Sequence, residues 1–378
     1  MPGKSEIAHH LSRAVSRSEL DLPLEQNLRG SGMQRREKLL FNLDVSKLVG
    51  IEIGALDKPF IQRNDGNILY VDYTDREGLV EKYRQDPNVN VENIVRVDAI
   101  WGENTLADAV DHRKVDYVIA SHVIEHVPDL ITWLAELRSI LKDTGEVRLM
   151  IPDRRFTFDY LREETRFADV VNSFLLRARV PQPHSVLDFL LNAVRLDCTA
   201  AWDGEIETSK LVKFQTFENA VKIARDVLDN GTYHDVHCWV FTPKSFGRLM
   251  AQMADVGLLD FACDRFHDTE KHTFEFFVSL RPSSDRRVIA RSWRRMAEMA
   301  KDMPDSATHA CRDATPEKRD PANCTYTMDE IRAMKTIVEP LDLDHGISAE
   351  WAYSRDPLGW AHATRSSHMT RNDVSGDT

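Results

Sequence analysis

Cysteine is scarce: five residues in 378, Cys198, Cys238, Cys263, Cys311 and Cys324, with no C-x-x-C pair among them. That count excludes the disulfide framework of a small secreted domain and makes a reducing cytoplasm the expected setting. Long apolar runs are missing too. Nothing approaches the roughly 18 consecutive apolar residues of a membrane-spanning helix. The first 23 residues break every short apolar run with a charge or a histidine, so neither a signal peptide nor a membrane span is expected. Positive charge is outnumbered, 49 Lys and Arg against 61 Asp and Glu. The formal net charge of −12 offers phosphate backbones no overall attraction and speaks against a dedicated nucleic-acid enzyme. The pattern G-x-G-x-x-G is absent, as is any internal repeat.

What is present is a core-forming composition, 42% hydrophobic, arranged in alternation. From Leu48 onward, the runs LVGIEI, ILYVDY, IVRVD, DYVIAS and EVRLMIP read as buried strands separated by amphipathic segments. That order implies a parallel sheet with helices on its faces. Leu130, Leu134, Leu137 and Leu141 recur at helical spacing after Pro128-Asp129, and Gly145 marks a turn into the fifth strand. A second helix follows Thr242-Pro243, with Phe246, Leu249, Met250 and Met253 on one face and Gly257 as its stop. It leads into the strand-like runs LLDFACDRF and HTFEFFVSL.

Residues 1–46 are polar and read as a loosely attached N-terminal arm. The core then takes residues 47–153 and 243–281. Between these blocks, residues 154–242 carry helical pattern in DVVNSFLLRARV, SVLDFLLNAV and FENAVKIARDVLD, too long for an ordinary connection and expected to form a helical lid that selects the substrate. Residues 282–378 read as a C-terminal helix and a partly disordered tail, with a short helix near Asp329–Val338. Within that segment, Arg286–Lys301 places Ile289, Trp293, Met296 and Ala300 on one side and arginines elsewhere. This helix either packs on the sheet's edge or receives a protein partner or membrane surface.

The candidate site gathers at strand ends. Gly54 closes the first strand, where a glycine lets backbone approach a ligand closely. Asp72 ends the second strand 18 positions later, near the spacing expected of an acid that accepts both ribose hydroxyls of an adenosine cofactor, and Asp98 closes the third. Either acid alone reads equally well as a helix cap or turn residue. Only residues 55–67 connect Gly54 to Ile68, and they include Pro59, Asp65 and Gly66. A dinucleotide needs a helix N-terminus there for its pyrophosphate, and no such helix fits. The fourth strand delivers Ser121, His122, Glu125 and His126 to the same edge.

GIEIGA, YVDY and above all DYVIASHVIEHVPDL resemble the class I S-adenosylmethionine-dependent methyltransferases, closely over about residues 48–153 and more loosely to about 281. The resemblance, of type 11 character, includes bacterial enzymes linked to polysaccharide synthesis. It implies an α/β, Rossmann-like seven-stranded sheet of order 3-2-1-4-5-7-6, with strand seven antiparallel and a helical insertion after strand five. It implies S-adenosyl-L-methionine as cofactor, with Glu52, Gly54 and Ala55 on the methionine side, Asp72 and Tyr73 at the ribose, Asp98 and Ala99 flanking the adenine, and Ser121 and His122 near the sulfonium. Leu56 stands where the family has its second motif glycine, and Lys58 is a candidate electrostatic substitute.

Methyl transfer to a hydroxyl needs alignment and a proton acceptor, for which histidine suits neutral pH. His122, His126 and His237 are the candidate catalytic bases, with Asp153 a further acceptor-side candidate; each has an alternative role in local hydrogen bonding. His234, Asp235 and His237 with Glu125 match no closed zinc signature, so no metal is expected. The expected activity is methylation of a small-molecule or glycan acceptor, at oxygen. A non-catalytic methyltransferase-like scaffold in a glycan-assembly complex and a nicotinamide oxidoreductase are the alternatives.

Overall fold

The computed structural model describes residues 32–102 and 104–302. It bears out the alternating pattern. Helix α1 (Gly32–Leu39) precedes β1 (Val49–Ile53), β2 (Asn67–Asp72), α2 (Arg76–Tyr83), β3 (Ala99–Ile100), α3 (Leu106–Ala109) and β4 (Val115–Ser121). Then come α4 (Leu130–Ile140), β5 (Leu141–Pro152), α5 (Phe167–Leu175), α6 (Pro183–Asn192), α7 (Cys198–Asp203) and α8 (Phe217–Asn230). The described chain closes with α9 (Pro243–Asp255), β6 (Phe261–His267), β7 (Glu275–Pro282) and α10 (Arg286–Met299). The seven strands lie in the order β3-β2-β1-β4-β5-β7-β6, with β7 antiparallel to both neighbours. This is the Rossmann-like methyltransferase sheet that the motifs implied.

Local chemistry sets the helix starts. The Asp129 carboxylate accepts from the Thr132 amide at 3.0 Å and opens α4, whose Leu130, Leu134, Leu137 and Ile140 are buried against the sheet. Thr242 and Ser245 cap α9 reciprocally, Pro243 takes the first turn, and Phe246, Leu249, Met250 and Met253 are buried as expected.

Three expectations need correction. The third strand is not IVRVD but Ala99–Ile100, just beyond it: the Asp98 side chain accepts from the Tyr70 amide (2.9 Å), and Val95 N–H donates to Leu56 O (2.9 Å), so the preceding run makes no regular ladder. Gly145 lies inside β5, which starts at Leu141, and it adjoins an irregularity where the register jumps from Val115–Leu141 to Tyr117–Glu146. Residues 32–46 are no loose arm. Leu39 of α1 is buried with Tyr70, Tyr117, Met150 and Phe277, and Arg35 pairs with Glu275. Residues 1–31 lie outside the described chain, as does the helix expected near Asp329–Val338.

Of the two readings of Arg286–Lys301, packing on the sheet's edge holds for α10. Its Ile289, Trp293 and Met296 are buried, and Trp293 Nε1 donates to Phe261 O at 2.7 Å. At Gly247 of α9 an added Cβ would stand 3.0 Å from Trp293 O and Ala297 N, so the two helices meet backbone to backbone. The apolar stripe once considered for a partner or membrane is covered by the chain itself. Its outer face carries an arginine-lined groove bounded by Asp255 and Glu298.

The insertion after β5 is helical, as expected. Val186, Phe189 and Leu190 of α6 pack with Ala220, Ile223 and Val227 of α8 in a small core of their own. Phe156 stacks on Trp202 of α7, ring centroids 4.1 Å apart, in another.

Candidate active site

The parallel strands end on one edge, and the sequence places a polar or conformationally special residue at each end. Gly54 follows β1 at φ +70°, a backbone that side chains rarely adopt, and a Cβ there would meet Val123 Cγ2 at 3.1 Å. Two residues on, at the position of the family's second glycine, Leu56 takes the left-handed conformation (φ +48°). No helix intervenes between β1 and β2. The edge therefore lacks the helix terminus that a dinucleotide's pyrophosphate requires.

At the end of β2, the Asp72 carboxylate accepts from the Tyr73 amide (2.8 Å). Burial lifts its pKa to about 6, against the pull of that amide and of Lys82. Tyr73 is 43% exposed. It lies under Lys82 (4.8 Å) and faces Tyr233 across 6.5 Å in stacked orientation. Ala99 opens β3 opposite Val71, and Ser121 closes β4 opposite Met150.

Other expected cofactor contacts are turned elsewhere. Glu52 is buried and its two oxygens accept from the amides of Phe60 (2.8 Å) and Ile61 (3.1 Å), bracing the crossover. Ala55 is buried in the cluster beneath α1. Asp98 sits two residues before the partner of Asp72 and holds Arg63 at 2.8 Å. Lys58 donates to Asn88 O at 3.1 Å. Asp153 is fully buried, capping the turn at Arg154–Phe156, holding the Arg155 guanidinium and accepting from Thr269 Oγ1 (2.7 Å).

The histidines do converge. His122, at φ +52° just past β4, sets Nε2 2.9 Å from Glu275 and Nδ1 3.4 Å from Glu125. Desolvation lowers its pKa, but the two carboxylates outweigh burial and raise it overall. Glu275 enters because β7 runs antiparallel beside β5 and pairs it with Pro152, on the same edge. Its other partner is Arg35 of α1 (2.8 Å).

Glu125 is fully buried. His126 Nε2 and His237 Nε2 each lie 4.0 Å from its Oε1, and the two imidazoles meet edge to face at 4.6 Å. His237 Nδ1 is 2.6 Å from Asp159, which is in turn held by Arg162 at 2.7 Å. Burial lowers the His237 pKa despite Asp159. His234 is apart, on Asp226 at 2.8 Å.

Sequence reading missed Glu275, Arg35, Asp159 and Arg162. Glu275 alone left a signal, a carboxylate inside the apolar run HTFEFFVSL. Arg35 and Glu275 lie 240 positions apart, and only the fold joins them.

Comparison with known proteins follows the same outline. A family model described as a methyltransferase domain matches residues 70–254, from within β2 into α9. No curated protein matches the chain. Solved structures similar to it include the DhpI–SAH complex (14% identity, 74% of this chain and 97% of that one, TM-score 0.34). Another is magnesium protoporphyrin IX methyltransferase from Synechocystis PCC 6803 with bound SAH (10%, 74% and 94%, TM-score 0.31). A third carries the name of a putative zinc-dependent alcohol dehydrogenase from Rhodobacter sphaeroides (11%, 75% and 100%, TM-score 0.38). The family match joins a strand order and a glycine turn without a phosphate-binding helix, and on that ground residues 70–254 carry a methyltransferase domain and the chain is an S-adenosylmethionine-dependent methyltransferase.

Proposed function

We propose that the enzyme methylates a hydroxyl of a small molecule or glycan in the cytoplasm. The convergence of His126 and His237 on Glu125, between the end of β4 and the helical insertion, carries this reading. A hydroxyl is a poor nucleophile until its proton is removed, and imidazoles beside a carboxylate are suited to that task. An acidic chain with a helical insertion over the strand edge fits a neutral or mildly polar acceptor.

Bound S-adenosylmethionine supplies an electrophilic methyl group on a sulfonium. Gly54 leaves space for it at the end of β1, and Asp72 accepts its ribose hydroxyls. Ser121 and His122 flank the reacting end, with Tyr73 and Ala99 toward the adenosine. His122 faces a carboxylate from each ring nitrogen, so it keeps both protons and has no lone pair to offer. It positions rather than deprotonates. His126 and His237 activate the acceptor.

Turnover against a panel of sugars, phenols and carboxylates tests the proposal. Hydroxylated acceptors should be methylated, and His126→Ala and His237→Ala should each lower kcat about 10²–10⁴-fold. Unchanged turnover in both variants, or activity confined to carboxylates, would reject it. Calorimetry with S-adenosylhomocysteine on Asp72→Ala tests the cofactor side.

A further inference from the structure

We propose that Glu125, His126 and His237 bind one divalent first-row transition-metal ion, whose open positions receive a chelating pair of acceptor oxygens such as a vicinal diol. The inference rests on the hydroxyl-methylation reading for its acceptor half only; the ion site stands on its own geometry.

The three side chains bring one ligand atom each to within 4.8 Å of one another. With ion–ligand distances near 2.1 Å, ligand atoms in tetrahedral or octahedral sites stand roughly 3.0–3.5 Å apart. Displacements below about 1 Å close the set. Two imidazole nitrogens and one carboxylate oxygen favour zinc, manganese or iron(II) over calcium, and three protein ligands leave positions for substrate oxygen.

Glu125 supplies an independent observation. Its residue is wholly inaccessible, yet neither carboxylate oxygen accepts a well-formed hydrogen bond; the nearest donors are ring nitrogens at 3.4–4.0 Å. A buried carboxylate with no close hydrogen bond is costly, and a cation between it and the rings of His126 and His237 lowers that cost.

The surroundings fix the rings as metal sites require. His237 Nδ1 is held by Asp159 at 2.6 Å, and His126 Nδ1 lies 2.9 Å from Asp235, a contact of charge proximity. Both arrangements turn Nε2 toward Glu125. A carboxylate hydrogen-bonded behind a ligating imidazole, as Asp159 is behind His237, fixes its tautomer. The backbone holds the two segments in register: Cys238 N–H (2.7 Å) and Trp239 N–H (3.2 Å) donate to Glu125 O, and Trp239 Nε1 donates to Val127 O (2.7 Å). His237 thus closes the site from the insertion's end, which links acceptor binding to that element.

With the ion in place, His126 and His237 activate the acceptor through the ion and not as free bases: the hydroxyl bound there releases its proton to solvent at neutral pH. The oxygen then forms the new C–O bond while the C–S bond breaks and its electron pair stays on sulfur. The products are the methyl ether and S-adenosylhomocysteine.

The test uses the full chain stripped by a chelator and titrated calorimetrically with Zn²⁺ and Mn²⁺, with retained metal measured by mass spectrometry after dialysis. One equivalent should bind. Glu125→Gln and His126→Ala should bind at least 100-fold more weakly, whereas His112→Ala, exposed in the turn after α3, should match the wild type. S-adenosylhomocysteine affinity preserved in Glu125→Gln shows that the variant is folded. Failure of the wild type to bind either ion, or equal binding by Glu125→Gln, overturns the proposal. Metal binding without any S-adenosylhomocysteine binding would instead sink the cofactor reading and leave the ion site standing.

Discussion

Asp72 and Glu52 are both buried carboxyls with raised pKa values, yet the surroundings assign them different work. Asp72 has one backbone donor and an elevated value of about 6, so its charge state changes near neutrality. Protonation turns one of the two acceptor oxygens into a donor and removes the charge that strengthens both hydroxyl contacts. Affinity for S-adenosylhomocysteine should therefore weaken as pH falls through about 6. In Asp72→Asn it should be about 10–100-fold weaker and flat with pH, since hydrogen bonds to charged groups are worth about 1.5–3 kcal/mol. Calorimetry from pH 5 to 8 checks both, and a pH-independent wild type would contradict the role. Glu52 is pushed by burial to about 7 from an ordinary 4.5, with the Phe60 and Ile61 amides opposing. Because the folded value exceeds the unfolded one, the native state binds more protons between about 4.5 and 7. Stability from this group is present below that window and is lost as pH rises through it. The wild type's margin over Glu52→Gln in urea denaturation should shrink by up to about 3 kcal/mol between pH 5 and 8.

At the scale of elements, α9 and α10 decide the stability of the sheet's β6 side. Their contact is close because Gly247 has no side chain, and it is sealed by Trp293, which buries its ring and satisfies its N–H on β6. Trp293→Ala should cost about 3–5 kcal/mol by opening a cavity. Gly247→Val should cost about 1–3 kcal/mol by forcing the helices apart. Thermal and urea denaturation would reveal either. A Gly247→Val protein of unchanged stability would mean that the helices separate easily. The same packing explains why a helix patterned like a membrane-surface segment needs no partner for its apolar stripe.

Across the whole described molecule, the insertion is a body with its own small core, laced together by a buried polar relay. Arg162 bridges Asp159 (2.7 Å), Asp188 of α6 (2.9 Å) and His237 O (2.9 Å). Removing one partner of a buried pair strands the others, a cost of about 3–5 kcal/mol. Hydrogen exchange on Arg162→Ala should show α6 and α8 losing protection together while β4 and β5 keep theirs. Uniform loss across both bodies would show instead that they open as one unit.

The sequence alone determined what depends on neighbouring residues and on period. Asp129 and Thr242-Pro243 announce helix starts by local capping, apolar runs announce buried strands, and thirteen residues between Gly54 and Ile68 leave no room for a helix. These identify the sheet and the cofactor class. The third strand was misread because the Tyr70 amide donates to the Asp98 side chain and not to a backbone carbonyl, a choice no local pattern reveals. Only the tertiary structure decided which polar residues share a volume. His122 meets Glu275 across 153 positions, and His237 meets Asp159 across 78, because parallel strands deliver distant segments to one edge and the insertion folds back over it. Sequence spacing around His237 resembled no metal signature, for the partners that surround it come from three different stretches of chain. Burial then fixes their charge states, and burial is a property of the packed molecule.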